Sequence, residues 1–259
     1  MSKSGFFGLL VLPFALAQAA MAQTTLFNIP TTDVVAKRKV YLEFDFLPQI
    51  PAESNGVRGY FYNARLLAGL GGDVEAGVNF PVYQRTTICS SAPVTPVTCS
   101  YFQLNLKWRF YNNSGNGVAL ASGTLWHEAM NHRSTHDAWG LVYVLGSKKF
   151  HPGNSGPRIT GGPYAIVSGN QNPAAGPVSF MGPRAGVILG YEQPVDEKVN
   201  VVAEWFSGKN FFGLFTPGVM ITMPGDGVFG VGYSIGNDSW TNHNAVRNRY
   251  LYIFYGVTF

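Results

Sequence analysis

The chain closes on "RYLYIFYGVTF" (249–259), where Leu251, Ile253, Tyr255, Val257 and Phe259 place an apolar side chain at every second position up to the last residue. A period of two marks a β-strand with one uniform face. Free chain ends usually fray into polar residues, so an apolar stripe running to the terminus predicts a strand held in place to its end. The fold is decided by whether that face meets a protein core or a lipid bilayer.

The same alternation recurs along the chain. In "YFQLNLKWRFY" (101–111), Phe102, Leu104, Leu106, Trp108 and Phe110 oppose Tyr101, Gln103, Asn105, Lys107 and Arg109. "VYLEFDF" (40–46), "NARLLAGLG" (63–71), "VEAGVNFPVY" (74–83), "RAGVILGYE" (184–192), "VNVVAEWF" (199–206) and "VFGVGYSIG" (228–236) behave alike. Weaker candidates are "GVALASGTLWH" (117–127), "AWGLVYVLGSKK" (138–149), "RITGGPYAIVSG" (158–169) and "FGLFTPGVMITMP" (212–224), two of them interrupted by Pro163 and Pro217. Together these make twelve strands, each about as long as a tilted bilayer crossing requires.

Composition favours lipid over core. Of 259 residues only 12% are charged, against roughly 25% in soluble domains, while 14% are aromatic and 31 are glycine. Short connectors, "GGD" (71–73), "NNSGN" (112–116), "HPGNSGP" (151–157), "PVDEK" (194–198) and "GDG" (225–227), alternate with mostly longer ones, the tight "SGKNFF" (207–212) excepted. An even strand count with short and long connections taking turns is the layout of a transmembrane antiparallel up-and-down β-barrel with both termini on the short-turn side. A soluble sandwich has no reason to sort its loops in this way.

The N-terminus agrees. "MSKS" followed by "GFFGLLVLPFALAQAAMA" reads as a secretory signal, with Ala20-Met21-Ala22 as the cleavage site before Gln23. The expected organisation is a signal peptide at 1–22, a periplasmic N-terminal segment at 23–39 and an outer-membrane barrel at 40–259. The C-terminal stripe resembles the recognition strand of Gram-negative outer-membrane β-barrels, which implies the barrel assembly machinery as a partner and Leu251, Ile253, Tyr255, Val257 and Phe259 as its signal. More loosely, "LLAGLGGDVEAGVNFPVY" (66–83), "LKWRFYNNSGNGVALASG" (106–123) and "EWFSGKN" (204–210) resemble barrels of the meta-pathway of phenol degradation. That likeness implies porin-like transport of small aromatic or hydrophobic organic molecules.

With the apolar face outward, Glu43, Asp45 and Glu75 face Arg65, Lys107 and Arg109 across neighbouring strands inside the barrel. Such side chains either form a charged constriction that selects solutes or pair and fill the lumen. Tyr250, Tyr252 and Phe254 would add an aromatic wall. Cys89 and Cys99 share one long loop, and in an oxidising periplasm they are expected to form a disulfide.

Enzyme and metal patterns fail. "HEAMNH" (127–132) sets His127 and His132 five residues apart, the wrong spacing for zinc on one helix face. His127, His132 and His136 crowd one loop without forming a recognised ligand set, and "GNSGP" (153–157) reads as turn chemistry. No cofactor or metal is implied. The net charge of +4 is spread rather than clustered, which argues against nucleic acid as a partner. Basic loops, such as the one with Arg247 and Arg249, suit anionic lipopolysaccharide. The sequence reading is therefore an outer-membrane channel or facilitator for small solutes, not an enzyme. Its alternatives are a non-conducting structural or adhesive barrel and an outer-membrane hydrolase.

Overall fold

The computed structural model describes residues 24–52, 58–86, 97–130, 138–151, 156–167, 184–208, 212–237 and 249–259. Twelve strands follow in order: β1 (Val40–Pro48), β2 (Tyr60–Gly71), β3 (Val74–Thr86), β4 (Val97–Asn113), β5 (Val118–Ala129), β6 (Trp139–Lys149), β7 (Arg158–Val167), β8 (Ala185–Pro194), β9 (Val199–Phe206), β10 (Leu214–Met223), β11 (Gly227–Gly236) and β12 (Arg249–Thr258). Each pairs antiparallel with its sequence neighbours, and β12 returns to β1, so the sheet is a closed barrel without a free edge. The seam runs from Phe46↔Ile253 to Tyr41↔Thr258 and ends with Phe259 N donating to Val40 O at 2.9 Å.

Alternation holds around the wall. On β1, Leu42 and Phe44 are 46% and 52% exposed, whereas Tyr41, Glu43 and Asp45, which alternate with them, are buried. On β4, Leu104, Leu106, Trp108 and Phe110 are exposed and Tyr101 and Lys107 are buried. Near one rim, Phe46 stacks outside on Tyr62 at 5.2 Å and Tyr60 at 6.2 Å, an amphipathic cluster of the kind that anchors barrels at a membrane interface.

The β3–β4 hairpin is longer than the apolar pattern predicts. Pairing continues through Tyr83↔Cys99 and Gln84↔Thr98 to Thr86↔Val97, past a register shift. The outward residues there, Gln84 and Thr98, are exposed and polar, so the ladder persists where the hydrophobic alternation stops. Pro163 and Pro217 are accommodated by interrupting pairing on one side only. The β6–β7 register skips from Tyr143↔Tyr164 to Gly146↔Gly161 while Pro163↔Val187 persists, and β10–β11 skips from Phe215↔Ile235 to Gly218↔Gly232 while Pro217↔Ala203 persists. A missing N–H costs least on the side where no ladder bond is made.

The short connectors use local chemistry. Gly71 and Gly72 adopt positive φ before Asp73, which the β2–β3 turn requires. In the β8–β9 turn, Asp196 accepts bonds from Lys198 N at 2.7 Å and Val199 N at 2.8 Å, and these hold its carboxyl below the usual carboxylate range. A depressed value stabilises the folded turn at neutral pH and loses that contribution as pH falls through it.

Candidate functional site

The inside of the barrel holds part of the chain itself. Residues 24–36, from the segment expected ahead of the barrel, run within the lumen: Leu26, Phe27 and Ile29 are fully buried, and the segment bonds to β2, β3, β4, β6, β7, β9 and β12, which only an internal position allows. The chain leaves β1 at the turn end, where Arg38 N donates to Gly69 O at 3.0 Å, and Val35 N then bonds Glu75 Oε2 at 2.8 Å. Asp33 pairs with Arg158, which also makes a two-pronged contact with Glu192 at 2.7 and 2.8 Å, and Thr32 meets Ser147 at 2.6 Å. Deeper in, residues 24–31 fold into a small hairpin closed by Leu26 N to Ile29 O at 3.0 Å and Thr31 N to Thr24 O at 2.9 Å.

Glycines make room for this plug. A Cβ on Gly218 or Gly232 would lie 2.4 or 2.7 Å from Phe27 Cζ, and one on Gly190 would meet Ile29 Cδ1 at 2.6 Å. The three buried apolar side chains of the hairpin each gain about 1.5–3 kcal/mol over exposure to water.

Buried charges grip the plug mainly by its main chain. Arg65 on β2 lies 3.2 Å from Glu43 and 3.0 Å from Asp45, and it donates to Thr25 Oγ1 at 3.0 Å and Phe27 O at 3.2 Å. Tyr252 OH donates to the same carbonyl at 3.1 Å, Tyr41 OH donates to Glu43, and Asn63 Nδ2 donates to Asp45 at 2.9 Å. Lys107 binds Glu75 at 2.9 Å and Thr24 O at 2.9 Å. Arg109 sits apart at the turn-end rim, paired with the half-exposed Asp73 at 2.8 Å. Phe254 packs edge-on to Phe27 at 5.8 Å, and Tyr250 lies against the same core.

Towards the loop end the wall is aromatic. An unbroken run of ring contacts links Phe61, Tyr83, Tyr101, His127 and Trp139 at 4.4–5.7 Å and continues through Phe212 and Phe206 to Tyr164 at 4.9–5.5 Å. Below it a polar relay crosses three strands: Asn105 donates to Asn79 at 2.8 Å, Asn79 to Gln103 at 2.8 Å, and Gln103 meets His127 Nδ1 at 3.0 Å. His127 therefore stands inside the wall between Tyr101 and Trp139, not in the loop where the sequence reading placed it. His132, His136 and Cys89 lie outside the described residues, as does the Cys99 side chain, so the expected disulfide does too.

Apolar side chains outside and charges inside invert the arrangement of a water-soluble barrel. The chain is a barrel of the outer-membrane type. No protein-family model matches it, and no curated protein does. Among solved structures it is similar in barrel form to outer membrane phospholipase A from Escherichia coli (TM-score 0.47, 13% identity, covering 85% of this chain and 92% of that one). It is similar also to an outer membrane channel from Pseudomonas putida F1 (0.46, 14%, 87% and 97%) and to the translocator domain of the autotransporter NalP from Neisseria meningitidis (0.43, 12%, 85% and 87%).

The plug, Glu204, Arg158 and the aromatic run were not singled out from sequence. A signal for the plug exists in "TTLFNIPTTDVV" (24–35), a stretch too apolar and β-branched for a solvated tail. Glu204 sits at an inward position of "VNVVAEWF", where the alternation alone points it into the lumen.

Proposed function

We propose that the protein is an outer-membrane facilitator for small organic solutes whose lumen is closed at rest by its own N-terminal segment. One observation carries this reading: the plug is a separate piece of chain, held by side-chain grips and apolar seats, whereas the wall is a continuous ladder that need not change for the plug to leave. The aromatic run above it suits small aromatic or hydrophobic molecules, since rings stack on rings with little demand for hydrogen bonding. The reading assigns no catalytic step. A non-conducting structural barrel is the second reading, favoured by the same filled lumen if the plug never moves.

Gly232 separates the two. In Gly232→Leu the new side chain takes the space of the Phe27 ring, so the plug is pushed from its seat. Planar-bilayer recordings of the full-length chain should show rare openings for the wild type and frequent ones for the variant. A folded but silent variant would favour the structural barrel.

Insertion is proposed to use the barrel assembly machinery, reading the terminal Leu251, Ile253, Tyr255, Val257 and Phe259, with outer-leaflet lipopolysaccharide around the loops. Deleting Phe259 removes the last pair of bonds to Val40 and should leave the chain exported but poorly inserted, seen as loss of heat-modifiable mobility and of membrane yield. Normal yield of the truncated chain would count against the terminal signal.

A further inference from the structure

Withdrawal of the plug would not leave all of the lumen's charges in the same state. Arg65 keeps Glu43 and Asp45 as wall partners, and Lys107 keeps Glu75. Glu204 keeps no hydrogen bond among the described residues. Among the described residues its hydrogen bonds all come from the plug tip: Phe27 N at 3.0 Å, Asn28 N at 2.8 Å, Asn28 Nδ2 at 3.0 Å and Ile29 N at 3.0 Å. The residue is 2% exposed, and its register partners on the flanking strands are Gly190 and Thr216, neither of which carries charge. Four donors converging on both oxygens describe an ionised, acceptor-only carboxylate. A vacated lumen would therefore present a carboxylate stripped of its donors, with Arg65 and Tyr252 across the space that Phe27 fills and Arg65 already paired with Glu43 and Asp45.

We infer that Glu204 determines the specificity of the open lumen, binding the cationic nitrogen of a solute, an organic ammonium or guanidinium group, in the place the plug's amides occupy at rest. The inference rests on the channel reading above. A guanidinium supplies five N–H donors against the four that Glu204 receives from the tip, and an ammonium supplies three together with a positive charge that the tip's amides lack. The apolar remainder of the solute would lie along the surfaces that Phe27 and Ile29 cover now. Solute and tip compete for one carboxylate, so a ligand that binds only the vacated state shifts the equilibrium towards opening.

Two full-length variants in planar bilayers test this. Asn28→Pro removes the Asn28 N and Nδ2 donors and leaves the carboxylate; Glu204→Gln removes the charge. Both loosen the tip, so both should open. Asn28→Pro should prefer cations in reversal-potential recordings, and n-butylammonium chloride in the bath should lower its single-channel current while sodium butyrate does not. Glu204→Gln should lose most of that preference and the butylammonium block. Equal preference and equal block in the two variants would overturn the assignment, as would absence of block in Asn28→Pro. Silence from both folded variants would overturn the channel reading and this inference with it. Should Asn28→Pro fail to fold, as judged by heat-modifiable mobility, Gly232→Leu with and without Glu204→Gln carries the same comparison.

Discussion

Replacing Arg65 with alanine is expected to destabilise the folded barrel by about 3–5 kcal/mol, the usual cost of breaking a buried ion pair from one side. Glu43 and Asp45 would then share a dry site without their cation, and Thr25 and Phe27 O would lose a donor. Urea unfolding in lipid vesicles, followed by tryptophan fluorescence, should show a large drop in midpoint. Arg65→Lys should recover only part of it, because an ammonium cannot reproduce the fork that reaches two carboxylates and the plug together. Arg109→Ala provides the contrast. Its pair with Asp73 lies at the rim with both side chains partly solvated, so the expected loss is at most about 1 kcal/mol. Equal losses at the two sites would mean that the Arg65 cluster is wet rather than buried.

The second large effect belongs to the outer face. Leu104 is 53% exposed near the middle of β4, in register with Val78 on β3 and Trp126 on β5, both on the same outward face. Leu104→Arg places a cation against the hydrocarbon and should cost about 2–4 kcal/mol of folding free energy in the bilayer. Asn105→Arg, one residue on and facing inward, disturbs the Asn79 contact but meets no lipid. The Leu104 variant should fold in detergent and fail in vesicles, whereas the Asn105 variant should insert. If Leu104→Arg inserts as well as the wild type, the apolar belt does not meet lipid and the assignment of faces is wrong.

These two sites also mark what could be read from the chain alone. The lipid face was legible because a bilayer poses the same question to every outward residue separately. Leu42, Leu104, Trp108 and Val231 each answer it by their own chemistry, and a period of two is all that is needed to find them. Strand number, alternation of connector length and closure of the last strand on the first follow from the same local pattern, with the extended β3–β4 hairpin lost to it only where the outward residues, Gln84 and Thr98, turn polar.

The lumen follows another logic. Inward residues answer to partners on other strands and on the plug, and barrel closure and register decide which partners meet. Arg65 stands opposite Glu43 in register yet also reaches Asp45 and a carbonyl nearly forty residues earlier in the chain. Glu204 finds its donors in a hairpin more than 170 residues away. Gly218, Gly232 and Gly190 read as sheet-weakening residues until Phe27 and Ile29 are seen to occupy the room they leave. Sequence by itself determined a transmembrane barrel with charge inside and apolar side chains outside, because each residue's contact with lipid is a local matter. Only the tertiary structure decided that the lumen holds the chain's own residues 24–36, because that contact exists only after twelve strands have enclosed a space for it.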